Sequence, residues 1–225
     1  MLKPENFFDL SKCPCLELFK NIQYVWEVLP KIEGYIKSHL TPANKGKLIG
    51  NPYIGENVFI DEETIVEHGA MIKGPAIIGK GCEIRNGAYI RENVILGDGA
   101  ILGNSCEIKN SILFNEANVP HFAYVGDSVL GFRAHLGAGV KISNVKLISD
   151  PIIVDIEGQK YNTGLIKFGA IIGDGCDIGC NAVLNPGTII GPNTIVYTGI
   201  SWRGYCKPNS IVKLRQTQII VERKV

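Results

Sequence analysis

The run LIGNPY, IGENVF, IDEETI, VEHGAM, IKGPAI, IGKGCE, IRNGAY, IRENVI, LGDGAI, LGNSCE, IKNSIL, from Leu48 to Leu113, repeats with a period of six. Every unit opens with Leu, Ile or Val. The fifth position holds Pro52, Val58, Thr64, Ala70, Ala76, Cys82, Ala88, Val94, Ala100, Cys106 and Ile112, which are mostly small. One aliphatic and one small inward residue per unit, with Gly or polar residues between, specifies a solenoid of short flat strands joined by tight turns. Three units close one triangular coil. Side chains eighteen positions apart then stack at the spacing of parallel strands, about 4.8 Å, which sets Ile54, Ile72, Ile90 and Ile108 in one ladder inside the prism.

On either side the six-residue period fails. From Met1 to about Ala43 the apolar residues Leu16, Leu18, Phe19, Ile22, then Val25, Trp26, Val28, Leu29, Ile32, Tyr35 and Ile36 recur at helical spacing. Two short helices, broken near Pro30, are expected to cap the first coil and protect its open sheet edge. Residues 1–47 are therefore read as cap and linker, and 48–201 as the solenoid. After Leu113 the units FNEAN, VPHFAY, VGDSV, LGFRAH and LGAGVK run five, six, five, six and six, which predicts a pocket where the circumference changes. Between 142 and 170 the repeat disappears. There Ile152, Val154 and Ile156 alternate before Glu157-Gly158, which predicts an excursion with its own hairpin. The repeat resumes at Ile172, and 202–225 is expected to leave as an extended tail.

Composition narrows the function. A net charge of +1 offers no basic field for nucleic acid or an anionic membrane, and no apolar stretch approaches the roughly 18 residues of a spanning helix. The start MLKPENFFDLSKCPC does not read as a secretory signal, so a cytoplasmic protein is expected. Of seven cysteines, Cys82, Cys106 and Cys176 occupy the small inward position. Cys13, Cys15, Cys180 and Cys206 lack zinc-ligand spacing, so free thiols and no metal are expected.

Two features carry chemistry. Lys73, Arg91 and Lys109 take the second place of their units eighteen positions apart, so they stack on one face. Like charges directly opposed on neighbouring strands are unfavourable, and a phosphate beside them would relieve this; splaying into solvent is the alternative. Of the four histidines, at 39, 68, 121 and 135, only His121 lies in a segment that breaks the repeat. Its ordinary pKa of about 6.5 suits a general base at neutral pH, and Tyr124, Asp127, Asn144 and Lys167 are candidates to converge on it.

The runs IKNSILFNEANVPHFAYVGDSVLG, LGAG and TGLIKFGAIIGDGCDIGCNAVLNPGTIIG are similar to the C-terminal acetyltransferase domain of bifunctional sugar-1-phosphate nucleotidylyltransferase/acetyltransferases of archaeal type. The resemblance covers roughly Ile54 to Gln218, and QYVWEVLPKIEGYI resembles the linker helix that precedes that domain. The nucleotidyltransferase half, with its Gly-rich loop, has no counterpart in the sequence. The resemblance implies an all-β fold, a left-handed parallel β-helix, assembled as a homotrimer. It implies an acetyl-CoA-dependent N-acetyltransferase acting on an amino-sugar phosphate, glucosamine 1-phosphate foremost, in UDP-N-acetylglucosamine biosynthesis. His121 would then be the base, and Arg91, Lys109, Tyr124, Asn144 and Lys167 would hold the sugar phosphate, Lys167 in a neighbouring subunit's site. Ala138, Cys180 and Thr198, with Lys213 and Arg215, would line acetyl-CoA. A separate nucleotidyltransferase is a possible partner. Departures from the family pattern are His135 for an asparagine, Cys180 for a serine and LGAGVK for Gly-Ala-Gly-Thr. The alternatives are a trimeric scaffold or regulator without catalysis, and an acyltransferase for another sugar nucleotide.

Overall fold

In the computed structural model, which describes Leu2 to Arg223, strands of two to four residues build three parallel sheets of nine, nine and eight strands. Sheet A begins with Ala43–Asn44, sheet B with Lys47–Leu48 and sheet C with Tyr53–Ile54, and the chain visits them in that order on each turn. The result is a left-handed parallel β-helix of about nine coils. Ile54 pairs with Ile72, Ile72 with Ile90 and Ile90 with Ile108 in sheet C, and the ladder runs on through Val125 and Ile142. From Ile72 upward these side chains are fully buried. Burying one aliphatic side chain contributes about 1.5–3 kcal/mol, so a stack of this length holds each coil to the next. Cys82, Cys106 and Cys176 fill the small inward positions at 1 % exposure or less.

The outer faces differ. In sheet A the middle residue of each strand is also apolar, giving the row Phe59, Ile77, Ile95, Ile112, Val129, Ile171 and Ile189. The N-terminal segment covers that row. It consists of 3₁₀ turns at Pro4–Asn6, Leu10–Lys12, Leu16–Phe19 and Val25–Lys31, then one α-helix, α1, at Ile32–His39. Phe8, Phe19, Trp26 and Ile36 join Ile95, Ile112, Phe114 and Ile171 in a second core. The carbonyl of Phe7 accepts from the Asp174 amide at 3.0 Å, that of Lys12 from the Asn115 amide at 3.2 Å, and α1 ends beside Phe59 and Ile77. The expected cap on the first coil is thus not there: the segment runs down the flank of sheet A, where the apolar row demands a cover. At the first coil Leu48 and Ile49 stay more than 40 % exposed.

Two boundaries also shift. Sheets A and B each gain a strand beyond Trp202: Tyr205–Cys206 pairs on Ile189–Ile190, and Ile211–Val212 on Ile195–Val196. The segment read as tail from 202 therefore contributes one more coil, and the extended tail begins only after Val212. Coils also shorten one unit earlier than the sequence indicated, because Val94 lies opposite Ser111, seventeen positions on. Both shortened corners, Lys109-Asn110 and Gly126-Asp127, lie where sheet C turns into sheet A, with Asn110 and Asp127 in the left-handed region at φ 43° and 49°. The excursion leaves from the same corner, and its hairpin pairs Ile153–Ile156 with Gln159–Asn162 around Glu157-Gly158, as expected. Tyr161 of that hairpin packs edge-on to Trp26, so excursion and N-terminal segment share one core.

Candidate active site

At the turn from sheet B into sheet C, each coil presents one residue of a continuous row: His68, Asn86, Asn104, His121, Ala138, Cys180 and Thr198. Backbone and amide hydrogen bonds tie the row together. Asn86 Nδ2 donates to the His68 carbonyl (2.6 Å), Asn104 Nδ2 to that of Asn86 (2.8 Å), and the Gly139 amide to that of His121 (3.0 Å). Higher up, the Asn181 amide donates to the Ala138 carbonyl, and Thr198 Oγ1 to that of Cys180 at 3.2 Å. His121 ends the strand Asn118–His121, and its ring is exposed beside Phe122.

Above His121 on the outer face of sheet B lies a groove of about 410 Å³. Gly137, Gly179, Cys180, Ile195, Tyr197 and Thr198 line it, together with His135. Its floor needs glycine, since a Cβ on Gly137 would stand 2.7 Å from the Cys180 nitrogen and one on Gly179 2.5 Å from that of Thr198. Lys213 lies over the Tyr197 ring at 5.1 Å, which puts a cation at the rim. A cation over an aromatic face is attracted to the ring's negative quadrupole. Arg215 is exposed, beyond the last strand.

At the opposite edge of sheet C the predicted cations do stack, but they are matched by carboxylates. Lys73 Nζ is 3.9 Å from Glu92 Oε2, Arg91 reaches Glu92 at 3.2 Å and Glu107 at 3.0 Å, and Lys109 Nζ is 3.7 Å from Asp127. Three positive and three negative charges cancel, so the stack needs no phosphate to relieve repulsion. Burial opposes ionisation of Glu92, yet its own backbone amide, Arg91 and Lys73 outweigh this and hold its carboxyl below the ordinary range. Arg91 is raised, chiefly by its hydrogen bond to Glu107.

Tyr124 faces outward from sheet C opposite Glu107, and its hydroxyl lies 3.5 Å from Asn144 Oδ1. Burial, then the carboxylates of Glu107 and Asp127, push its phenol above the usual value, so it remains a neutral hydrogen-bond donor. Asp127 accepts from Asn110 Nδ2 at 2.8 Å and from Asn144 Nδ2. Lys167 is exposed, held by a single antiparallel bridge to Val145.

The structure therefore groups the predicted residues in two sets. Arg91, Lys109, Tyr124, Asp127 and Asn144 meet at one edge of sheet C, with Lys167 near by on the returning excursion. His121, Ala138, Cys180 and Thr198 form the row at the other edge. His121 closes its strand of sheet B and Tyr124 opens the next strand of sheet C just past the corner, so the polar cluster lies across the outer face of sheet C from the corner row. Sequence reasoning passed over Glu92, Glu107 and Asn110. For the two carboxylates the signal was charge beside a cation: Glu92 follows Arg91 in the chain, and Glu107 sits opposite Tyr89, diagonal to Arg91.

The chain is similar to several known proteins. The family described as the GMPPB C-terminal domain matches residues 72–159, and the bacterial transferase hexapeptide (six repeats) matches residues 51–91. A "Bifunctional protein GlmU" of Methanococcus maripaludis is 32% identical over 92% of this chain and 50% of its own length. The chain thus spans about half the length of such archaeal relatives. The "Putative uncharacterized acetyltransferase YaiX" of Escherichia coli K12 is 35% identical over 73% of this chain and 72% of its own length. Among solved structures, the polySia-specific acetyltransferase NeuO superposes with a TM-score of 0.43 at 13% identity, covering 80% of this chain and 93% of its own.

Proposed function

The chain belongs to the hexapeptide-repeat acetyltransferase family, and from that premise we propose that it transfers the acetyl group of acetyl-CoA to the amine of an amino-sugar phosphate, glucosamine 1-phosphate foremost, with His121 as general base. One observation carries the reading: an exposed histidine stands in a row that runs on through Ala138 to Cys180 and Thr198, and these last two border a glycine-floored groove.

In this reading the groove takes the coenzyme's pantetheine arm along the corner row, with Lys213 and Arg215 available to its phosphates. The acceptor lies across the outer face of sheet C. Its amine sits at His121 and its phosphate at Arg91, whose side chain keeps about a third of its surface exposed. Tyr124 and Asn144 hold the sugar between them. Lys109, almost buried against Asp127, supports the phosphate end from behind. The amine nitrogen attacks the thioester carbonyl, the new C–N bond replaces the C–S bond, the thiolate of coenzyme A leaves, and His121 takes the proton from nitrogen. No covalent enzyme intermediate is required. Catalysis then rests on alignment of two substrates and on the base, worth typically about 10²–10⁴-fold.

The same reading includes assembly as a homotrimer. The outer face of sheet A is closed by the chain's own N-terminal segment, which leaves the faces of sheets B and C, and the exposed Lys167, for neighbouring subunits.

The test is release of coenzyme A thiol from acetyl-CoA with a panel of amino-sugar phosphates. His121→Ala should lower turnover by about 10²–10⁴-fold while the melting temperature and the oligomer stay unchanged, because the ring is exposed. No thiol release by the wild type with any amino sugar, together with a sharp fall in melting temperature for His121→Ala, would make His121 a packing residue of a scaffold.

A further inference from the structure

Asp127 is a buried carboxylate to which the acetyl-transfer reading assigns no task. Its surroundings assign one. The residue is 4 % exposed and fixed at both ends of its backbone: its amide donates to the Lys109 carbonyl at 3.1 Å, and its carbonyl accepts from the Gly169 amide at 2.8 Å. The shortened corner turns its side chain inward, where Oδ1 accepts from Asn110 Nδ2 and Oδ2 from Asn144 Nδ2, with the Lys109 ammonium 3.7 Å away.

A carboxylate accepts hydrogen bonds and does not donate them. Asn144 must therefore present its amide nitrogen to Asp127, which turns its carbonyl oxygen the other way, to 3.5 Å from the Tyr124 hydroxyl. Flipping the amide would place two oxygens against each other in a site from which water is nearly excluded, since Asn144 itself is 8 % exposed. Gly126 leaves room for this arrangement: a Cβ there would lie 2.8 Å from both Asn144 Nδ2 and the Tyr124 hydroxyl, displacing both.

We propose that Asp127 is a positioning residue for acceptor specificity, fixing the polarity of Asn144 so that its Oδ1 and the Tyr124 hydroxyl together read a hydrogen-bond donor, a hydroxyl or an amine, on the acceptor sugar. Asp127 does not touch the substrate. The inference rests on the acetyl-transfer reading for its substrate and on geometry alone for the locked amide.

Two measurements on the full chain separate these. The first compares kcat/KM for the parent amino-sugar phosphate with that for its mono-deoxy analogues. A site built to bond a donor rejects the analogue that lacks it, so the wild type should disfavour one analogue strongly. Asp127→Asn offers its partner either an oxygen or an amine and frees Asn144 to flip, so that ratio should shrink by about tenfold or more. A merely structural role would lower turnover of parent and analogues alike and leave the ratio unchanged, which overturns the proposal. Should the buried Lys109 left without a counter-charge prevent folding, Asp127→Asn with Lys109→Met removes both charges and keeps the comparison.

The second measurement follows solvent exchange of the Asn144 side-chain amide in ¹⁵N-labelled protein, its resonance identified by loss in Asn144→Ala. Exchange should quicken by about tenfold or more in Asp127→Asn; equal exchange in the two proteins overturns the locked amide. If no amino-sugar phosphate is turned over, the acetyl-transfer reading falls and with it the assigned substrate, while the exchange measurement still decides whether Asp127 sets Asn144.

Discussion

The outer faces of sheets A and C are made from short strands in the same coils, yet their outward residues are opposites. Sheet A carries Phe59, Ile77, Ile95, Ile112, Val129, Ile171 and Ile189; sheet C carries Tyr53, Met71, Tyr89, Glu107, Tyr124, Lys141, Val183 and Ser201. An apolar row of that length must be covered, and about forty residues of N-terminal chain with one hairpin cover it. A row of tyrosines and charges is stable in water and stays open. The difference divides the prism: sheet A spends its outer face on stability, and sheet C leaves open the face on which the proposed acceptor would lie.

The sharpest way to break that division is to damage the cover. Trp26 is 2 % exposed, stacked on Tyr24 with centroids 4.9 Å apart and packed near Phe168. Trp26→Ala should cost about 3–5 kcal/mol of stability, read by denaturant unfolding, with thiol release per folded molecule unaltered. A loss of kcat/KM matching the loss of stability would show that the cover also shapes the site. A smaller effect tests how the cover is pinned. The carboxylate of Asp174 accepts from the amides of Asp9 (2.5 Å) and Phe132 (2.7 Å), joining segment to solenoid. Burial pushes its carboxyl above the ordinary range. Asp174→Ala leaves both amides without an acceptor and should cost about 1–3 kcal/mol; hydrogen exchange should then quicken first in residues 2–24. Uniform quickening over the whole solenoid would mean that segment and prism unfold as one unit.

The inward half of the fold was legible because two numbers, six and three, fix which residues stack, and the Ile54 to Ile108 ladder follows without reference to anything distant. The outward half was written in the same sequence, in the triplets VFI, AII, VIL and TII that recur once per coil, but an alternating inward pattern draws attention away from the residue between. Where the N-terminal segment would lie was not legible. Its apolar spacing fits a helix on a coil end as well as turns on a flank, and only the apolar row of sheet A decides between them. The shortened corner was misplaced by one unit since Ile112 occupies the fifth slot of IKNSIL and mimics a regular hexad; the paired register sets Ser111 there. The carboxylates were missed for a different reason: Arg91 meets Glu107 diagonally, sixteen positions away, although their strands pair at eighteen, just as Asn185 meets Ser201 higher up.

The smallest expected effect bears on the open face, at Arg91. Arg91 is bonded to Glu92 and Glu107, with about a third of its side chain accessible. Ion pairs this exposed are worth about 0.2–1 kcal/mol, so Arg91→Ala should leave stability nearly unchanged. If Arg91 binds the acceptor's phosphate in ground and transition states alike, its loss raises KM and spares kcat. The rise should be about tenfold, equivalent to roughly 1.4 kcal/mol, increased somewhat because Glu92 and Glu107 are left to repel the phosphate. A phosphate-free amino sugar supplies the control. Its KM should be indifferent to the substitution, or should fall, since the bared carboxylates attract its ammonium. An equal rise in KM for both acceptors would show that Arg91 orders Glu107 and Tyr124 and that the phosphate lies elsewhere. Sheet C would then remain the recognition face, with its cations serving the carboxylates beside them.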